Sequence, residues 1–147
     1  MKIAVGCDHA AYEMKQKVME HLKQRGIEYK DFGTYTPDAS DYPLVALDTA
    51  KAVSSGEFDK GIVMCGTGVG ISIAANKVKG IRCALLSDTF SAKATRQHND
   101  ANMMAMGARV IGIGLALDIV DAFLDTPFSG LERHQRRIDM ITKIENE

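Results

Sequence analysis

Three glycines fall within five residues in Cys65-Gly66-Thr67-Gly68-Val69-Gly70, behind the apolar run Ile62-Val63-Met64 and ahead of Ile71 and Ser72. Glycine lets successive backbone N–H groups turn toward one point. A helix that starts just behind such a turn adds its positive end, so the run can cradle an anion. The same residues also suit a plain tight turn between a strand and a helix. Two nucleotide motifs fail here. A dinucleotide fingerprint needs glycine at the sixth place of G-x-G-x-x-G, where Ile71 stands, although Asp88 follows about 20 residues on. A Walker loop ends in G-K-[ST], whereas Asn76-Lys77 comes too late and lacks the hydroxyl neighbour.

Chemistry beside an anion cradle needs a base. Thiols at helix N-termini act as nucleophiles and bases more readily than free ones, and Cys65 stands where the strand meets the loop. Cys7 and Cys83 lie inside apolar runs and are expected to be small buried hydrophobes. Downstream, Arg96-Gln97-His98-Asn99 holds an imidazole, which donates and accepts protons near neutrality; a histidine there also suits a helix C-terminus. Arg133 and Arg137 are four apart, so on a helix they share one face and can grip one dianion. A solvated helix surface would read the same way. Met103, Met104 and Met106 are expected in the core, and no His, Asp or Glu cluster has metal-ligand spacing.

The elements that must position these residues alternate. Ile3 to Cys7, Ile27 to Phe32, Lys60 to Cys65, Ile81 to Leu86 and Met103 to Met106 read as strands, most of them apolar on both faces. Between them Ala10, Met14, Val18 and Leu22 mark a helix ending near Gly26. Further helices are expected over 43–53, 71–78 and 89–97, around Leu115 to Phe123, and from Ile138 to Ile144 at the end. Alternation of this kind predicts an α/β fold: an open, mostly five-stranded parallel sheet with helices on both faces, Rossmann-like, and a C-terminal helix. Ligands of such sheets bind beyond the carboxyl ends of the strands. That points to Asp8-His9, Gly33-Thr34, Gly66 to Gly70 and Ser87-Asp88.

With 147 residues, no repeat and no linker, one domain over 1–147 is expected. A net charge of −1 from 18 basic and 19 acidic residues argues against nucleic acid and membrane surfaces as partners. Three cysteines without a C-x-x-C pair fit a reducing compartment. The short apolar N-terminal run is no signal-peptide core, so a cytoplasmic location is expected.

Taken together, Gly6-Cys7-Asp8-His9, Ser40-Asp41-Tyr42-Pro43, the glycine loop, Asn76-Lys77, Arg96 to Asn102 and Arg133-His134-x-x-Arg137 resemble the ribose/galactose isomerase family, most closely its type B ribose-5-phosphate branch. The likeness runs along essentially the whole chain. Ala11 departs from the glycine usual after Asp-His-Ala. Galactose-6-phosphate isomerase subunits typically lack the His-Asn pair and the Arg-His-x-x-Arg segment.

The resemblance implies interconversion of ribose 5-phosphate and ribulose 5-phosphate through an enediolate, within pentose phosphate metabolism and without a cofactor. Allose 6-phosphate or galactose 6-phosphate, or binding without chemistry, are the alternatives. It implies Cys65 as the base at carbon, His98 as the ring-opening acid/base, and Thr67 and Ser72 as hydroxyl partners of the sugar or the loop. Backbone N–H groups of Gly66, Gly68, Val69 and Gly70 would hold the enediolate. Asp8, Tyr42 and Asn99 would line the sugar, and His9, Arg109, Arg133 and Arg137 would bind the phosphate. A homodimer or tetramer with active sites shared between subunits is also implied. His21 is expected to have no role, and His134 is left open.

Overall fold

The computed structural model describes all residues, Met1 to Glu147. Five strands carry the sheet: β1 (Lys2–Cys7), β2 (Glu28–Asp31), β3 (Lys60–Cys65), β4 (Cys83–Leu85) and β5 (Met103–Gly107). All neighbours pair in parallel, in the order β2-β1-β3-β5-β4. The helices are α1 (Tyr12–Gln24), α2 (Tyr42–Ser54), α3 (Val69–Ala75), α4 (Thr89–Asn99), α5 (Ile113–Asp125) and α6 (Glu132–Glu145). None is long and apolar enough to cross a membrane. The α/β architecture expected from the alternation is present, and Val110-Ile111 is a turn.

Strand period sorts the core into two layers. Ile3, Val5, Cys7, Ile62, Met64, Met104 and Met106 face one side, where α1, α4 and α5 cover them. Ala4, Val63, Cys65, Met103 and Ala105 face the other, under α2 and α3. Successive side chains alternate across a strand, so Cys7 and Cys65 point to opposite faces although both end strands. The methionines of β5 fill both layers and are fully buried.

Right-handed crossovers dictate which face each helix takes. Winding runs from β1 to β2 in one direction and from β3 to β4 in the other. It therefore reverses between β1 and β3, and ligands of open sheets bind at such a reversal. Cys7-Asp8 and Cys65-Gly66 are the residues there.

Strands β4 and β2 are shorter than the patterning suggests because they are edges. Side chains finish what the ladder leaves open at β4. Asn76 of the Asn-Lys motif accepts from Cys83 N at 2.8 Å and donates to its carbonyl at 2.9 Å, and Asn102 Oδ1 accepts from Arg82 N. Asp88 caps α4 by accepting from Ser91 N at 2.6 Å, which accounts for the acid found about 20 residues past the glycine loop. His21 bonds Asp121 across α1 and α5.

At the end of β5, Gly107 meets the loop after β3 directly: a Cβ there would lie 2.5 Å from the Thr67 carbonyl carbon and oxygen. Backbone cannot step aside as a flexible side chain does, so Gly107→Ala should cost about 2 kcal/mol or more. The urea midpoint should fall at unchanged slope. An unchanged midpoint would show that this contact does not set the spacing.

Candidate active site

β3 ends at Cys65, whose side chain is 4% exposed on the α2–α3 face. The chain then turns back through Gly68, at φ +78°, a conformation that glycine adopts without strain. Its N–H donates to Cys65 Sγ at 3.1 Å. The sulfur is the acceptor in that contact. A Cβ at Gly68 would sit 2.6 Å from Leu85 and 2.8 Å from the Met106 carbonyl carbon, so the fold of the loop depends on that glycine twice.

The remaining loop amides are unequal. Val69 N–H donates to Thr67 Oγ1 at 3.2 Å, and Ser72 Oγ donates to the Val69 carbonyl at 2.7 Å. Ser72 is buried and serves the loop. The Gly70 and Ile71 N–H groups have no partner within the chain and can bind an anion. Thr67 keeps its own hydroxyl hydrogen free, because its oxygen is the acceptor from Val69.

Neighbouring strand ends complete this half. Asp8 follows β1, is 7% exposed, and accepts from Ala10 N at 3.0 Å. His9 N donates to Ser40 Oγ at 3.1 Å, and Ser40 N donates to His9 Nδ1 at 3.2 Å. With Nδ1 accepting, a neutral His9 carries its proton on Nε2, a donor for a phosphate oxygen. Tyr42 opens α2, and its ring lies over Gly70: a Cβ there would be 2.6 Å from Cζ. Arg109 N donates to the Gly66 carbonyl at 2.9 Å while its side chain lies along Gly66.

His98 and Asn99 lie elsewhere. Helix α4 runs back along the sheet, so its last residues reach the amino-terminal ends of the strands. The Asn99 carbonyl accepts from Arg82 Nε just before β4, and the Asn102 carbonyl accepts from Gly61 N at the start of β3. From there to Cys65 the strand alone spans about 13 Å. Cys65 and His98 of one chain therefore do not share a site. None of the four main clefts is lined by Cys65.

A cleft of about 370 Å³ instead gathers His98 and Asn99 with Arg133, His134 and Arg137. Arg136 pairs with Glu132 at 3.0 Å on the outer face, whereas Arg133 and Arg137 have no ion-pair partner. Those two arginines are the unpaired cations of the cleft.

His134, whose role the sequence left open, is buried in this cleft. Its Nδ1 is 2.6 Å from Ser129 Oγ, and its ring lies 4.6 Å from that of His98. Its place inside the Arg-His-x-x-Arg run was the only signal in the sequence. Burial, then His98, Arg133 and Arg137, hold its imidazole below the usual range. Burial pushes the Cys7 thiol up to about 11, partly offset by Lys15, and the Cys83 thiol up to about 12.

Comparisons with known proteins identify the family. A family profile described as Ribose/Galactose Isomerase matches residues 3–141. Ribose-5-phosphate isomerase B of Escherichia coli (strain K12) is 51% identical over 144 residues, 98% of this chain and 96% of that protein. A galactose-6-phosphate isomerase subunit of Clostridium acetobutylicum is 43% identical over 148 residues, 100% of this chain and 86% of its own. The solved ribose-5-phosphate isomerase B of Clostridium thermocellum is 52% identical with a TM-score of 0.97, covering 99% of this chain and 98% of that one.

The depressed imidazole makes stability depend on pH. Folding holds His134 neutral, so its contribution is complete above the 6.5 of an unfolded histidine and is lost as pH falls through the lower folded value. The melting temperature should drop between pH 7 and pH 5, and His134→Gln should flatten that slope. Parallel curves for the two proteins would count against the assignment.

Proposed function

This chain belongs to the ribose/galactose isomerase family, and from that premise we propose how its residues divide the work. The reaction is the aldose–ketose interconversion of D-ribose 5-phosphate and D-ribulose 5-phosphate. It must open the furanose, move a proton from C2 to C1, and hold the enediolate formed between.

Cys65 is the base at carbon. The observation that carries this is a nearly buried sulfur at the strand reversal with a backbone N–H aimed at it at 3.1 Å. Its thiolate takes the C2 proton of the aldose and delivers it to C1, while a proton passes from O2 to O1. The Thr67 hydroxyl is the partner for those oxygens. The N–H groups at Gly70 and Ile71 stabilise the enediolate charge; one such donor is worth about 3–4 kcal/mol in the transition state. Asp8 and Tyr42 hold sugar hydroxyls. His9 and Arg109 supply one part of the phosphate site.

The ring-opening imidazole and two further cations belong to a second copy. His98, Asn99, Arg133 and Arg137 are complementary in chemistry to the Cys65 end and lie at the opposite end of their own chain. A twofold pair places one end of each copy against the other end of its partner and completes two sites. Val69, Ile73 and Phe90, at 46%, 57% and 80% exposure, supply an apolar border around the glycine loop for such a contact. His98 then moves the proton between the C1 hydroxyl and the ring oxygen, and the arginines clamp the phosphate.

Cys65→Ala should lower kcat by more than about 100-fold while the fold, followed by circular dichroism, is kept. Near wild-type turnover would remove Cys65 from the role of base. Cys65→Ala and His98→Asn, each inactive alone, should recover about one quarter of wild-type activity when mixed in equal amounts and re-equilibrated. Half the dimers are then mixed, and each mixed dimer has one intact site of two. No recovery in re-equilibrated mixtures would mean that each chain works alone.

A further inference from the structure

Among the charged residues, one lysine alone is fully buried. Lys15, on α1, has no exposed surface. Its Nζ donates to Asp31 Oδ1 at 2.7 Å and to the Thr34 carbonyl, and lies 5.7 Å and 5.5 Å from the ring centres of Tyr12 and Tyr35. Both distances are within cation–π range. Lysine is almost never fully buried unless paired. A well-packed apolar side chain in place of a buried ion pair often stabilises as much or more. Stability therefore does not by itself call for an ammonium at this position. What an apolar residue could not do is bond a main-chain carbonyl.

That carbonyl belongs to the segment crossing the end of β1. Asp31 Oδ1 also accepts from Gly33 N at 2.8 Å. Thr34 N donates to the Cys7 carbonyl and Cys7 N to the Gly33 carbonyl, both at 2.7 Å. The next residue after Cys7 is Asp8. From Thr34 the chain runs through an exposed stretch, 35–39, whose side chains bond only within it and to the nearby Asp31 carbonyl, until Ser40 makes its two bonds to His9. Tyr42 follows at once. The connection 32–41 is thus held by its main-chain bonds to β1 over 32–34, by Lys15 at Thr34 and by His9 at Ser40, and substrate ligands flank it.

We propose that Lys15 is a positioning residue for the sugar-phosphate site, seating the 32–41 connection through the Thr34 carbonyl and so placing Asp8, His9 and Tyr42. The proposal rests on the reading of those three residues as substrate ligands. Lys15 touches no substrate. Its loss should act on binding, because the base, Cys65, faces the other layer of the core.

Two effects of Lys15 must be separated: its charge pairing with Asp31 and its bond to Thr34. Asp31→Asn removes the pairing while keeping acceptors for Gly33 and Lys15, and should leave KM within about twofold of wild type. The pair Lys15→Met with Asp31→Asn lacks the Thr34 bond as well. It should raise KM about tenfold or more while kcat changes less than about threefold. Lys15→Gln with Asp31→Asn restores an uncharged donor and should recover part of the lost KM.

A folded methionine pair with unchanged KM, or an equal rise in Asp31→Asn alone, overturns the proposal. Should the methionine pair not fold, hydrogen exchange of the unaltered protein decides. Gly33 and Thr34 amides should exchange as slowly as those of β1, and exchange as fast as the 35–39 stretch would overturn it. Wild type in the same assay keeps the two readings apart. Absence of isomerisation there would sink the function, whereas an active wild type beside an unaffected methionine pair would sink only the role of Lys15.

Discussion

Much of this structure is arranged around one close approach of backbone to backbone, where the loop leaving β3 folds over the end of β5. For the Gly68 N–H to reach the sulfur three residues behind it, the loop must turn through a positive φ and lie against Met106 and Gly107. A side chain at Gly68 or Gly107 would lift the loop away. The sulfur would then sit at the strand end without its donor, like any buried cysteine. Cys7 shows that alternative: it also ends a parallel strand, but faces the other layer, and burial leaves its thiol hard to ionise. Two cysteines at strand ends of one sheet thus meet different surroundings because of strand parity and one loop.

The same sheet geometry separates Cys65 from His98. A helix that follows a parallel strand returns to the opposite end of the sheet, so the start of α4 and its end cannot serve the same strand terminus. His98-Asn99 is at the returning end, and α6 packs there and adds Arg133 and Arg137. A single chain cannot bend these residues back to Cys65 without breaking the fold. Leaving both arginines without acidic partners costs little in the cleft and keeps two cations available for a dianion.

Much of this was legible in the residues. The strand and helix alternation fixed the layers, because parallel strands buried on both faces read as continuous apolar runs and amphipathic helices read at a period of four. The glycine loop was legible because positive φ and close approach leave a compositional mark. Three things were not. The edge strand β4 came out shorter than its apolar run, and Asn76 and Asn102 do there what a neighbouring strand would do. The separation of His98 from Cys65 depends on helix direction, which spacing along the chain does not encode. Lys15 looked like one more polar position on an amphipathic helix; its burial follows from the connection 32–41 folding over it, a tertiary fact with no local signature.

The separation also bears on how activity and assembly are coupled. Were Cys65 and His98 on one chain end, association would add only stability. With Cys65 and His98 at opposite ends, a lone chain would, on the proposed division of roles, hold two unneutralised arginines at one half-site and the base at the other. In the pair we propose, ring opening would wait on the second copy, and a substrate phosphate held by cations from both copies would add to the contact between them. Binding to the paired state alone shifts the equilibrium toward it by mass action. Sugar phosphate would thereby favour the proposed assembly, an effect that follows from where one helix ends and needs no separate regulatory site.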